Sequence, residues 1–331
     1  MKEKFFFFTE ASQSVGLGHF MRCFALAEEA AHQGIRSHFF LNQITPAICE
    51  RLESIKANWD NASFDLEEIC IEYEVSNFDW WVIDSYQVTA EFICKLRKRS
   101  RVLVMDDLCS LDFYDCDLIL NASPQAVALG YEAKFTSTRL LAGSTYSPIR
   151  SEFRKEKVVH QSVVSPSGRI AIMMGGSDSL GLTEPVLKLL HSALPRYEFL
   201  IIMGEAALGK KSFNELCNTL GRINLKINPP ALAEILLTTD LVVSAAGGSI
   251  GELCAIGQMA VALVVVDNQI GAFKNCPYPT LDCRNGLVNE LVPTVIKALE
   301  ASDENFQIRR NAQTMVDGNG CQRILQEMLQ L

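Results

Sequence analysis

The segment from Ser14 to Arg22 holds the residues whose types and spacing best suit catalysis. Gly16 and Gly18 precede His19, and Arg22 follows about one helical turn later. Glycines between a strand and a helix let backbone N–H groups approach a ligand, and the partial positive charge of a helix N-terminus suits a phosphate. The same dipole disfavours protonation of a histidine, so His19 is a candidate general base. A histidine hydrogen-bonded in the turn is the structural alternative, and Arg22 suits an anion contact or an ion pair equally well.

Two turns in the second half of the chain have a composition suited to a diphosphate. Gly175, Gly176 and Ser177 can form a backbone nest for an anion, with Asp178 as a helix cap. An ordinary strand-to-helix turn explains these residues as well. Taken alone, the segment is best interpreted as such an ordinary turn.

The second of these turns contains Gly247, Gly248, Ser249 and Glu252. Ser249 and Glu252 have the spacing of a capping box, which is a complete structural explanation and the favoured one without further context. The functional alternative is that the turn holds a diphosphate while Glu252 holds paired ribose hydroxyls.

Polar side chains follow several other predicted strands. Asn268 and Gln269 supply two amides suited to a polyhydroxylated or acetamido ligand. Tyr86 is predicted to donate a hydrogen bond in the cleft where a ligand would bind. Asp106 and Asp107 are adjacent, so their carboxylates point in different directions and are not automatically an acid/base pair. One of them is predicted instead to organise its loop or to pair with the candidate base.

The elements that must position these residues are apolar strands alternating with amphipathic helices, a pattern typical of parallel sheets covered on both faces. The strands are predicted at 5–8, 37–41, 80–83, 102–105 and 118–120, and then at 170–174, 199–203, 225–227, 241–244 and 261–266. The helices are predicted at 19–33, 46–55, 89–98, 182–190 and 231–238, with a last one from about 322. A polar, Ser-rich stretch at 151–168 is the best linker candidate.

The length of 331 residues exceeds what one core usually holds, so two domains are expected, at 1–155 and 166–331, with the last helix able to pack on either. In open parallel sheets, ligands sit outside the carboxyl ends of the strands, so a cleft between two facing sheets is the expected active site. The composition, with 48% hydrophobic and 21% charged residues, excludes disorder and coiled coil.

The net charge of −9 has the wrong sign for a protein that wraps nucleic acid or lies on an anionic membrane. The eleven cysteines show no paired CxxC spacing and are expected to be unpaired fillers in a reducing compartment. The run Phe5–Phe8 is too short for a leader segment, and no stretch reaches the ~18–20 apolar residues of a membrane span. We therefore expect a cytoplasmic protein, a monomer, without nucleic-acid partners or membrane insertion.

Taken in order, these pieces resemble one family. The motifs that carry the resemblance are Gly16-x-Gly18-His19-x-x-Arg22, Asp84-Ser85-Tyr86, Asp106-Asp107-Leu108, the segments 116–121 and 141–150, Gly175-Gly176-Ser177-Asp178, Ala246-Gly247-Gly248-Ser249-x-x-Glu252 and Asn268-Gln269. The chain is similar, over positions about 4 to 290, to the UDP-sugar hydrolases of pseudaminic acid biosynthesis and their relatives known as spore-coat polysaccharide proteins.

The resemblance implies a glycosyltransferase-B architecture, an α/β fold of two Rossmann-like domains facing a cleft. It implies release of UDP from UDP-2,4-diacetamido-2,4,6-trideoxy-β-L-altropyranose by attack of water at the anomeric carbon with inversion, without a metal or another cofactor. UDP is a good leaving group, so helix N-termini can absorb the departing charge and one positioned base is enough.

The family's roles carry over residue by residue. His19 is then the base that activates water, with Gly16, Gly18, Arg22, Tyr86, Asp106, Asn268 and Gln269 on the sugar side. The diphosphate is then held by Gly175, Gly176, Ser177, Gly247, Gly248 and Ser249, and the ribose by Glu252.

The chain departs from the family at three places. An Arg-x-Asp sequence is expected just after the first strand, where this chain reads Phe8-Thr9-Glu10-Ala11-Ser12. Ser85 stands where the family commonly has histidine, and the segment 274–279 is unusual. These departures bear on which sugar is used and on activity.

Three other functions remain open. A glycosyltransferase would use the same fold and nucleotide turns, and a hydrolase for a related nucleotide sugar would use the same base. A nucleotide-sugar-binding subunit without catalysis is the third, although retention of His19 argues against it.

Overall fold

The computed structural model describes residues 3–11, 17–61, 72–155, 167–176, 178, 180–204, 211–270, 275–300 and 302–331. Within them the chain divides into two compact units. Residues 1–151 and 319–331 form the first unit, and residues 152–318 form the second. The predicted linker residues 156–166 lie outside the described residues, while 151–155 form a short helix.

The first unit is built on a parallel sheet of seven strands in the order β3-β2-β1-β4-β5-β6-β7. The strands are β1 Lys4–Thr9, β2 Arg36–Leu41, β3 Asn58–Asn61, β4 Trp80–Asp84, β5 Arg101–Met105, β6 Leu118–Asn121 and β7 Arg139–Ala142. The helices are α1 Gly18–His32, α2 Pro46–Ser54, α3 Ala90–Arg97 and α4 Ser151–Lys155, the last of which spans the division between the units.

The second unit is built on a parallel sheet of six strands in the order β10-β9-β8-β11-β12-β13. The strands are β8 Arg169–Met173, β9 Glu198–Met203, β10 Ile223–Ile227, β11 Leu241–Ala245, β12 Ala260–Val264 and β13 Thr280–Asp282. The helices are α5 Thr183–Ala193, α6 Lys211–Leu220, α7 Leu232–Leu237, α8 Ser249–Ile256, α9 Leu291–Leu299 and α10 Asp303–Met315. The last helix, α11 Gly320–Leu329, belongs to the first unit.

The phenylalanine run explains why β1 is an inner strand of the first sheet. Phe5 and Phe7 face the apolar cluster that contains α1 and α11, while Phe6 and Phe8 face the cluster on the α3 side. All four side chains are buried, as expected for a strand covered on both faces. Helix α1 ends where Gly34 takes a positive φ of 75°, a conformation that glycine adopts without steric cost.

The observed strands and helices agree in large part with those predicted from the sequence. The alternation of apolar strands and helices predicted each central strand to within two residues. It missed β3, β7 and β13, which are short strands with partly polar sequences, and the helices α4, α6, α9 and α10. All described cysteines are free thiols, in agreement with the prediction.

Candidate active site

His19 is the second residue of α1 and lies at the carboxyl edge of the first sheet. Strand β4 is the neighbour of β1, with Thr9 opposite Asp84 in the register, so the end of β4 lies beside the end of β1. His19 Nδ1 lies 2.5 Å from Asp84 Oδ1, and both side chains are buried. When Nδ1 donates its hydrogen to this carboxylate, the lone pair is left on Nε2, the nitrogen that can then accept a proton.

The carboxylate beside His19 is therefore Asp84, and the expectation that Asp106 or Asp107 pairs with it is wrong. The reason is topological, because Asp84 ends the strand adjacent to β1 whereas Asp106 and Asp107 follow β5, one strand further away. In the sequence, Asp84 directly follows the strand predicted at 80–83, and the structure extends that strand to include it. The signal that would have singled it out is the order of the strands, which a single sequence does not supply.

Arg22 forms the ion pair that the sequence allowed. Its Nη2 donates to Asp84 Oδ1 at 2.7 Å, its Nε donates to Asp84 Oδ2, and its Nη1 donates to both oxygens of Asp107 at 2.8 and 2.9 Å. Burial opposes the charge on Arg22, but the two carboxylates outweigh it and raise its pKa well above the ordinary value. The guanidinium thus joins the ends of β4 and β5 to α1.

The same contacts keep Asp84 in its charged form. Burial opposes ionisation of this carboxyl, but the positive charge and hydrogen bonds of Arg22, with a further hydrogen bond from His19, lower its pKa. Cys23 Sγ lies 3.8 Å from the same carboxylate. Burial and the negative charge of Asp84 raise the pKa of this thiol well above its ordinary value, so Cys23 is not suited to be a nucleophile.

Tyr86 and Asp106 line one small pocket of the first unit. The ring of Tyr86 meets the His19 imidazole edge to face at 4.8 Å between centroids, and 45% of the tyrosine is exposed. Asp106 accepts hydrogen bonds from the Tyr114 hydroxyl and from the Leu108 N–H at 2.9 Å. It therefore organises the loop after β5, which is the first of the two roles predicted for it. Both residues line the pocket at the carboxyl ends of β4 and β5.

The first glycine turn of the second unit follows β8. Gly175 has a φ of +81°, which glycine adopts without strain. Asp178 accepts the N–H groups of Leu182 at 2.9 Å and Thr183 at 3.0 Å, so its carboxylate satisfies two donors at the start of α5, although the N-cap residue itself is Leu182. Gly204, a residue that sequence reasoning missed, closes the turn from the end of β9, because a Cβ there would lie 2.4 Å from the carbonyl oxygen of Gly176.

The second glycine turn follows β11, which is the neighbour of β8 in the sheet, so both turns lie at the same edge. Helix α8 begins at Ser249 with Gly248 as its N-cap, and no side chain caps it. The capping-box interpretation of Ser249 and Glu252 is therefore wrong, because Ser249 already has a place inside the helix and its hydroxyl makes no capping bond. The Ile250 N–H already donates to the Gly247 carbonyl oxygen at 3.0 Å and the Gly251 N–H to that of Gly248 at 3.1 Å, so an anion would meet the N–H groups at 247–249.

Gln269 lies against this second turn. Its Nε2 would be 3.7 Å from a Cβ on Gly247, and its Oε1 accepts the Val265 N–H at 2.9 Å. Asn268 shares the short 3₁₀ turn Asp267–Gln269, but its side chain is outside the described part of the structure, as are Gly16 and Ser177. Gly18 is described and is the first residue of α1.

The structure thus assembles two groups from the predicted residues. In the first unit His19, Arg22, Tyr86 and Asp106 gather around the ends of β4 and β5, and in the second unit the turns at 175–176 and 247–249 gather with Gln269. Across the described residues, no group of three metal-ligating side chains converges and no helix is long and apolar enough to cross a membrane.

Comparison with solved structures defines the class of fold. Over 99% of this chain and all of theirs, MurG of Acinetobacter baumannii is 14% identical with a TM-score of 0.62, and HepE of Anabaena in complex with UDP-glucose is 13% identical with a TM-score of 0.64. A UDP-GlcNAc 2-epimerase of Neisseria meningitidis bound to UDP-GlcNAc matches over the whole of both chains, with 12% identity and a TM-score of 0.65. These likenesses confirm the predicted α/β fold of glycosyltransferase-B type.

Comparison with curated sequences gives two relatives. The UDP-2,4-diacetamido-2,4,6-trideoxy-β-L-altropyranose hydrolase of Campylobacter jejuni is 23% identical over 278 residues, which are 80% of this chain and 93% of that protein. This confirms the resemblance drawn from the motifs. An uncharacterized protein of Methanocaldococcus jannaschii is 24% identical over 264 residues, and the match spans 54% of its length and 77% of this chain. No protein-family profile matches the chain.

Proposed function

We propose that the protein is an enzyme that hydrolyses a UDP-sugar, with UDP-2,4-diacetamido-2,4,6-trideoxy-β-L-altropyranose as the substrate. The observation that carries this proposal is the buried pair of His19 and Asp84 at the carboxyl edge of the first sheet, in a chain that resembles a hydrolase of that name over 80% of its length. The UDP-sugars in the HepE and epimerase structures of the same fold support the ligand class.

In the proposed mechanism, His19 Nε2 accepts a proton from water while the water oxygen attacks the anomeric carbon. The bond between that carbon and the UDP oxygen breaks, and UDP leaves with the electron pair, so the sugar is released with inverted configuration. Asp84 holds the Nδ1–H and stabilises the imidazolium that forms, and Arg22 keeps Asp84 ionised. The outcome is general-base catalysis by one histidine, without the paired carboxylates of common glycosidases.

The second unit would bind UDP. The backbone N–H groups at the start of α8 and in the turn at Gly175 and Gly176 would receive the diphosphate, because donors fixed in place stabilise the charge that develops on a leaving group. Glu252, in the first turn of α8, would hold the ribose hydroxyls. A protein with a net charge of −9 can bind a diphosphate in this way because backbone dipoles, not a basic surface, meet the anion.

A UDP-sugar transferase is the second candidate, since MurG and HepE have the same fold. One experiment separates the two. The purified protein is given the diacetamido-trideoxy-altrose nucleotide in H₂¹⁸O with chelator present, and the reaction is followed by NMR and mass spectrometry. Hydrolysis predicts ¹⁸O in the anomeric hydroxyl, unlabelled UDP and the inverted anomer as the first product. Binding of the nucleotide without release, and release only when an acceptor is added, would establish the transferase instead.

Replacement of His19 tests the base. We expect His19→Ala to lower kcat by at least about 100-fold, since general-base catalysis contributes on the order of 10²–10⁴, and to leave the Kd of UDP within about twofold. His32→Ala is the matched control, because His32 is exposed at the other end of the same helix. Wild-type turnover by His19→Ala would show that another group activates the water.

A further inference from the structure

Glu10 and Ser85 form a buried pair that the mechanism above does not use. Glu10 directly follows β1 and is only 4% exposed. Ser85 directly follows β4, its hydroxyl donates to Glu10 Oε1, and the same hydroxyl oxygen accepts the Gln87 N–H at 3.0 Å. The pair therefore lies at the edge of the sheet where His19 lies.

The pair is on the other side of the strand ends from the histidine. Consecutive residues of a strand point to opposite faces, so Asp84 points toward α1 and holds His19, while Ser85 points toward the α3 side and holds Glu10. Tyr86, the next residue, returns to His19 with its ring. A ligand with its reacting carbon at His19 would thus cross the end of β4, with Glu10 within its span.

The chemistry of Glu10 calls for further hydrogen-bond donors. A carboxylate has room for about four hydrogen bonds, and buried polar groups in proteins are generally satisfied. Among the described residues, the Ser85 hydroxyl is the donor that reaches this carboxylate. A bound ligand can supply a further donor to such a carboxylate.

We propose that Glu10 determines sugar specificity by accepting a hydrogen bond from an acetamido N–H or a hydroxyl of the sugar, with Ser85 holding the carboxylate in place. The proposal rests on the proposed function as a UDP-sugar enzyme. It gives Glu10 a part in choosing the substrate.

The test compares wild type with Glu10→Gln, which keeps the size of the side chain and exchanges an acceptor oxygen for a donor group. With the diacetamido-trideoxy-altrose nucleotide we expect kcat/KM at least tenfold lower for the variant, mostly through KM, and a Kd for UDP alone within twofold. Analogues that each lack one donor of the sugar are then measured with both proteins. The analogue that lacks the group bound by Glu10 should show the same kcat/KM with both.

Glu28→Gln is the matched control, because Glu28 accepts two hydrogen bonds of 2.7 Å from Ser151 in a carboxylate–serine pair away from the strand ends. The proposal would be overturned if Glu10→Gln lowered kcat/KM by the same factor with every analogue as with the intact sugar, or if it left kcat/KM unchanged. In both cases the UDP-sugar function would stand. If wild type binds neither this nucleotide nor UDP-GlcNAc nor UDP-glucose in calorimetric titration, the proposed function fails and the role of Glu10 fails with it.

Discussion

Asp84 makes the contact that fixes which nitrogen of His19 carries a hydrogen. The carboxylate also receives two donors from Arg22, and Arg22 in turn holds Asp107. Removal of the charge at Asp84 takes away the stabilisation of the imidazolium, whereas removal of the charge at Asp107 only loosens the outer end of Arg22. The two aspartates therefore differ in their distance from the proton transfer, although they share one guanidinium.

We expect Asp84→Asn to lower kcat by about 100-fold or more, because loss of the orienting carboxylate in a histidine–aspartate pair costs up to about 10⁴, with little change in KM. Asp107→Asn is the matched variant and should lower kcat by less than about tenfold. Steady-state kinetics and thermal melts of both proteins check this. Equal losses of kcat in the two variants would mean that the carboxylates act only by holding Arg22.

At the scale of the elements, the two glycine turns show what a sequence can and cannot reveal about a site. The glycines themselves were found, because each ends an apolar strand and starts a helix. The spacing of Ser249 and Glu252 suggested a capping box with Ser249 as the N-cap. This was wrong, because the N-cap is Gly248, one residue earlier. Gly204 was missed because its contact with Gly176 joins residues 28 positions apart across neighbouring strands.

Gly204 lies so close to the turn at Gly176 that a side chain there would disturb it. A Cβ at Gly204 would lie 2.4 Å from the Gly176 carbonyl oxygen, so Gly204→Ala must displace the turn. We expect UDP affinity to fall about tenfold, within the range of about 1–3 kcal/mol that overpacking costs. Isothermal titration with UDP is the measurement. Unchanged affinity in a folded variant would remove the turn at 175–176 from the nucleotide site.

At the scale of the whole molecule, the sequence predicted two α/β units and their central strands, since buried parallel strands are continuous apolar runs. The unit that the last helix joins was left open by the sequence, and long-range packing decides it. Ile324, Leu325 and Met328 of α11 lie in the apolar cluster of the first unit with Phe24 and other residues of α1. A chain that crosses back after residue 318 cannot be read from local patterns.

The start of α11, where the chain returns to the first unit, packs tightly and should be sensitive to mutation. Gly320 is the first residue of the helix, and a Cβ there would lie 2.1 Å from the carbonyl oxygen of Ser147. Alanine favours helix by up to about 1 kcal/mol over glycine, but a clash with backbone costs about 1–3 kcal/mol and should win. We therefore expect Gly320→Ala to lower the Tm by several degrees and to leave the Kd of UDP unchanged, while the exposed Gln322→Ala on the same helix changes neither. A Tm equal to or above that of wild type would show that α11 can shift away from Ser147 without cost, and that the helix is held by its apolar face alone.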